Sequence, residues 1–195
     1  MIVGDPKVFA IESFIATAYE ELGLRALGFF LIHAHGVRYG VSNARATMLA
    51  CSLDKVKQRV LWAGRHTIPF GGAAEAGAIA FAYRTAFFSP EADDRMYLGM
   101  PAAVFRREVL RSRIVWAPDG DAAFDDGSYV LQFDVQERVR LVGFRADGCG
   151  FGVAEGSLTD LWMDASQFYG VLANWSAAFE SEWFLATKET GSERV

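Results

Sequence analysis

The chain has 195 residues, of which 52% are hydrophobic and 14% aromatic, and its formal net charge at pH 7 is -5. A sequence this apolar folds around a large core, which excludes a disordered chain, and the acidic balance argues against a general nucleic-acid binder, which carries a basic footprint. The length favours a single domain over residues 1–195, with no linker to divide it and a polar, frayed tail from 188 to 195. No apolar run approaches the ~20 residues of a membrane span. The opening Met1 to Pro6 has neither the basic nor the apolar region of a signal peptide, so the chain is expected to be soluble and cytoplasmic. Cys51 and Cys149 are the only cysteines. Both lie near apolar residues and read as reduced, small hydrophobes.

Strands and helices follow from periodicity. Residues 7–17 place Phe9, Ile11 and Ile15 on one face of a first strand. Residues 25–35 are apolar on both faces, as a central strand would be, and Gly36 turns the chain into a hairpin partner at 37–41. Ser52 is placed to cap a helix over 53–63 that buries Val56, Val60 and Leu61 and stops at Gly64. A second helix spans 73–88 and ends at Ser89-Pro90. Pro101 opens a third, with Val104, Phe105, Val109 and Leu110 inward.

The remainder is rich in strands at 113–117, 128–135, 138–144 and 158–163, with Gln136-Glu137 as a hairpin turn. Asp164 and Gln167 form a capping-box pattern for the last helix. Its stripe of Phe168, Val171, Leu172, Trp175, Phe179 and Trp183 falls at three- and four-residue intervals. Short connections between strands make the sheet mainly antiparallel, with inserted helices and a C-terminal amphipathic helix: an α+β fold.

The feature with most functional content is the stretch from Trp116 to Gly127. It carries Asp119, Asp121, Asp125 and Asp126 between two predicted strands, punctuated by Pro118, Gly120 and Gly127. Such a loop presents charge in a fixed pattern. Asp119, Asp121, Asp125 and Asp126, with Trp116 and Phe124 as apolar neighbours, make a surface suited to a basic protein partner. The loop departs from a calcium-binding pattern, because Phe124 stands where the sharp-turn Gly belongs and Val130 where a bidentate Glu is required. His33 and His35 share a strand face without an evident third ligand, so no metal or cofactor is assigned.

No serine has the glycine spacing of a nucleophile elbow. Gly148, Gly150 and Gly152 lack the strand–loop–helix setting of a nucleotide loop. Arg106, Arg107, Arg111 and Arg113 read as partners for Glu108 and nearby aspartates rather than as a nucleic-acid surface. Trp116, Trp162, Trp175 and Trp183 read as core.

The opening Met1 to Glu12, the Gly28–Ile32 strand with its hairpin through Gly40, the loop from Trp116 to Tyr129, and Leu161-Trp162 leading to Phe168–Leu172 and Trp175 together resemble the immunity protein 42 family of bacterial polymorphic toxin systems. The resemblance implies a non-enzymatic α+β protein that binds and neutralises a cognate toxin domain. Such toxins pass between competing bacteria in contact-dependent inhibition, and the immunity protein protects the cytoplasm of its producer. It supplies no functional residues to carry over. A metal-assisted hydrolase using the 119–126 loop and a non-catalytic subunit of a larger assembly are the competing readings.

Overall fold

The protein is described by a computed structural model for residues 1–116, 122–148 and 150–189. Its first sheet is a ladder of β1 (Ile2–Asp5), β2 (Phe9–Tyr19), β3 (Ala26–Ala34) and β4 (Val37–Tyr39), each antiparallel to the next. The turn between β3 and β4 is built by His35 (φ 49°) and Gly36 (φ 77°), two successive left-handed residues that suit the twist of a tight hairpin. β5 (Thr47–Met48) extends the free edge of β3, pairing with Leu27 and Gly28.

That pairing fixes where α1 (Leu49–Leu61) begins, and it begins earlier than the sequence pattern indicates. Met48, still extended, occupies the cap position, while Ser52 lies inside the first turn and is buried. Val56 is buried, but Leu61 is 78% exposed. Cys51, expected among apolar neighbours, is exposed instead, and Cys149 lies outside the described residues.

α2 (Ala76–Phe88) and α3 (Ala102–Arg111) follow, separated by a small hairpin of β6 (Met96–Tyr97) and β7 (Met100–Pro101). Pro101 is the residue just before α3. Phe105 and Val109 are buried on it, whereas Leu110 is 62% exposed. The expected strand at 113–117 is only a fragment. Arg113 has φ 50°, which breaks an extended run, and the pairing that survives is a bridge between Val115 and Leu131.

The second sheet has the order β10 (Thr159–Asp164), β9 (Arg138–Arg145), β8 (Ser128–Val135), all antiparallel. Gln136 turns β8 into β9 with φ 56°. This sheet is apolar on both sides. Val130, Val139, Leu141 and Leu161 join a core shared with the first sheet, α1 and the last helix. Leu131, Phe133, Val142 and Phe144 join a second core beneath α2 and α3. The alternation Val130/Leu131 and Leu141/Val142 is the period-two geometry of a strand buried on both faces.

α4 (Ala165–Leu185) carries the predicted stripe, with Phe168, Leu172, Trp175 and Phe179 fully buried. Asp164 occupies its cap position, but no side-chain cap bond forms there, so the expected capping box is absent. The predicted frayed tail begins in order: β11 (Lys188–Glu189) pairs parallel with Ala18 and Tyr19 of β2.

Candidate functional site

The described residues on either side of the acidic stretch are tied into the fold. Upstream, the Trp116 N–H donates to the Val130 carbonyl at 2.9 Å. Downstream, a 3-10 turn over Ala122–Phe124 ties back to the first sheet, where the Val41 N–H donates to the Ala123 carbonyl at 2.8 Å. Phe124 packs edge-on against Phe30, with centroids 6.4 Å apart, and only 7% of it is exposed. Trp116 is stacked on Phe30 and is also buried. Neither ring is an apolar neighbour at the surface, as the sequence pattern implies. Both are anchors in the core, because a large aromatic beside a loop gains most by leaving water.

Of the four aspartates, Asp119 and Asp121 lie outside the described residues. Asp125 is exposed. Asp126 is partly committed: its Oδ1 accepts from the Ser128 N–H at 3.1 Å, and its Oδ2 faces Arg145 Nε at 3.4 Å. Arg145 also donates to the Arg38 carbonyl, so this aspartate ties the loop to the β4 hairpin. A bridge between Ala146 and Val153 flanks Gly148, Gly150 and Gly152, and β10 rather than a helix is the next element, which is not the setting of a nucleotide loop.

A buried polar ladder, unread in the sequence, joins α1, β8 and α4. Arg59 of α1 donates to Gln132 Oε1 at 3.0 Å and to the carbonyls of Arg113 and Val115 (3.3 and 2.5 Å), with its guanidinium 4.3 Å over Trp116. Gln132 Nε2 donates to the Tyr169 hydroxyl at 2.8 Å, and that hydroxyl donates to Asp134 Oδ1 at 2.7 Å. The other Asp134 oxygen accepts the backbone N–H of His66 at 3.0 Å.

Burial shifts Arg59, Tyr169 and His66 toward their neutral forms. Arg59 is pulled down to about 9 by desolvation, which leaves it charged at neutral pH. Desolvation, reinforced by the bond to Asp134, raises the Tyr169 phenol well above its ordinary range. His66 is lowered, first by desolvation and then by the Arg59 charge.

The geometry is that of a structural clamp. An Asp–His pair that activates a nucleophile needs the carboxylate on the ring nitrogen. Here Asp134 takes the backbone N–H, and the His66 ring Nδ1 lies 3.3 and 3.1 Å from the Ser112 and Arg113 carbonyls. His33 does not meet the other histidines: its Nε2 pairs with Glu12 at 2.8 Å, while His35 sits exposed in the hairpin turn. Among the described residues, no cluster of His, Cys, Asp or Glu is placed to hold a metal.

Arg106 pairs with Asp93, and Arg107 and Arg111 approach Glu108 at 3.4 and 3.9 Å, as the spacing implies. Arg113 stacks on Trp62 instead. Trp162 and Trp183 are only half-buried, beneath arginines.

Among the described residues, the fold is α+β, with the flanks of the acidic stretch bonded to the rest of the chain and a buried polar clamp joining α1, β8 and α4. The chain matches the immunity protein 42 family over residues 1–178 and belongs to it. A crystal structure of CdiI from Burkholderia dolosa AUO158 is similar in fold. It has a TM-score of 0.54 at 15% sequence identity and covers 91% of this chain and 99% of that one. No curated protein matches. Among the described residues, no helix is long and apolar enough to cross a membrane.

Proposed function

We propose that this immunity protein neutralises a cognate toxin domain by binding it through the acidic loop, and that it acts as one folded unit in the cytoplasm of the producing cell. The observation that carries the reading is the family match over residues 1–178. CdiI from Burkholderia dolosa shares the fold.

The assignment to the loop rests on chemistry. Asp119, Asp121, Asp125 and Asp126 gather a large part of the chain's net negative charge into one short stretch. The described root of that stretch is fixed by Phe124 and by bonds to both sheets. Concentrated acidic charge accelerates association with a basic partner. Phe124 serves this surface as its buried anchor. No catalytic residue and no cofactor enters the mechanism: the protein acts by occupancy.

The test is co-expression in a sensitive cell of the toxin domain encoded beside this chain. The intact protein restores growth and co-purifies with the toxin. Growth arrest despite equal expression of both chains would refute the proposal.

A further inference from the structure

The C-terminal turns of α1 and α3 end close together, and between them opens a cleft of about 390 Å³. That size is within the range of sites that take small ligands. Its walls carry the cations Lys55, Arg59 and Arg113 and, among the described residues, no carboxylate. Arg59 spends its donors on the clamp, but its charge still acts on the cleft. Arg113 stacks 3.9 Å from the Trp62 ring and makes no ion pair among the described residues.

Two residues of the same lining, His66 and Trp116, each hold a buried polar atom, Nε2 and Nε1, with no hydrogen-bond partner among the described residues. His66 is 1% and Trp116 2% exposed. Buried polar atoms are nearly always paired, so two orphans lining one cationic cleft mark a position for a ligand group.

We propose that this cleft binds a carboxylate carried on a short apolar stem. Its oxygens accept from the Trp116 indole N–H and from Arg113, whose planar fork suits a carboxylate. Trp62 and Leu110, also in the lining, receive the methylenes. Inorganic phosphate offers the charge without the stem.

The imidazole completes the site. Its Nδ1–H donates to the Ser112 and Arg113 carbonyls, so in the neutral ring Nε2 is a bare acceptor. An arriving anion favours the protonated ring, which turns Nε2 into a donor. The charged and titrating groups around the ring are Arg59 and Lys55 from α1, Arg113 after α3, and Asp134 from β8, with Tyr169 of α4 acting through Asp134. Carboxylate binding therefore takes up a proton and tightens as pH falls.

The inference does not require a toxin. Isolated full-length protein is titrated with glutarate, and the Trp116 indole and His66 imidazole signals are followed by NMR. Saturable shifts are expected with a Kd of about 1 mM, tighter near about pH 6 than about pH 8. Arg113→Gln should weaken binding roughly tenfold, and Trp116→Phe, which keeps the ring and removes the donor, should also weaken it. Arg111→Gln, outside the cleft and beside Glu108, should bind like the parent.

A repeat with the toxin domain bound sorts the natural source. Lost glutarate binding assigns the carboxylate to an acidic toxin side chain, and retained binding assigns it to a free small acid. The absence of saturable shifts up to about 50 mM, unchanged binding by Arg113→Gln, or phosphate binding as tightly as glutarate would each overturn the proposal.

Discussion

His66 and Trp175 are both almost fully buried, yet only one of them was legible in the sequence. Trp175 sits mid-stripe, with its indole N–H donating to Ser13 Oγ at 3.1 Å and its ring beside Phe30 and Phe179. Trp175→Ala should cost about 3–5 kcal/mol, read as a lowered denaturation midpoint with an unchanged slope. The place of His66 depends on Ser112, Arg113 and Asp134, 46 to 68 positions away, and no local pattern encodes that.

The lowered affinity of His66 for protons gives a signed pH dependence. Above the ordinary value of 6.5, native and unfolded rings are both neutral. Below it, the unfolded chain takes up a proton that the native state refuses. Stability therefore falls with pH until the lowered native value is passed. Urea denaturation of parent and His66→Gln across this window should show a shallower decline in the variant, and parallel curves would contradict the account.

At the scale of elements, β8, β9 and α4 were legible because their burial follows a clean period. β1, β5 and β11 were not: they have four, two and two residues, too few to establish an alternation. The start of α1 was misread because β5 pairing, not a capping side chain, sets it. Gly28 marks another constraint that composition hides. A Cβ there would lie 1.8 Å from the Phe14 carbonyl oxygen and 2.9 Å from Leu49 Cδ1. Gly28→Ala should destabilise by roughly 1–3 kcal/mol through overpacking, with the loss of amide-exchange protection concentrated in β2 and β3.

A second tie joins the chain before α2 to the second sheet. Arg140 bonds Asp160 through two nitrogens at 2.7 and 2.8 Å and also holds the Gly71 and Ala74 carbonyls. Asp160→Asn keeps the shape and removes the charge, and should cost about 1.5–3 kcal/mol by thermal or chemical denaturation. A melting profile identical to the parent would show that the carbonyls alone hold the arginine.

For the molecule as a whole, two apolar cores meet across the β8–β10 sheet, and Trp116 and Ala123, which flank the acidic stretch, bond to Val130 of β8 and to Val41. The α+β class was legible from element order. The burial of Trp116 was read correctly as core, but that of Phe124 was not, because an aromatic beside a turn reads the same whether it anchors or protrudes. The central claim, that charge in this loop captures the toxin, makes a kinetic prediction. Charge steering raises association rates at low ionic strength and is screened by salt. The most direct test is the association rate of the cognate toxin domain with the parent and with Asp121→Lys combined with Asp125→Lys, measured at low and high salt. The account predicts roughly tenfold or greater slowing at low salt, convergence of the two rates at high salt, and unchanged stability of the variant. Equal rates and affinities at low salt would contradict it and place the interface elsewhere on the molecule.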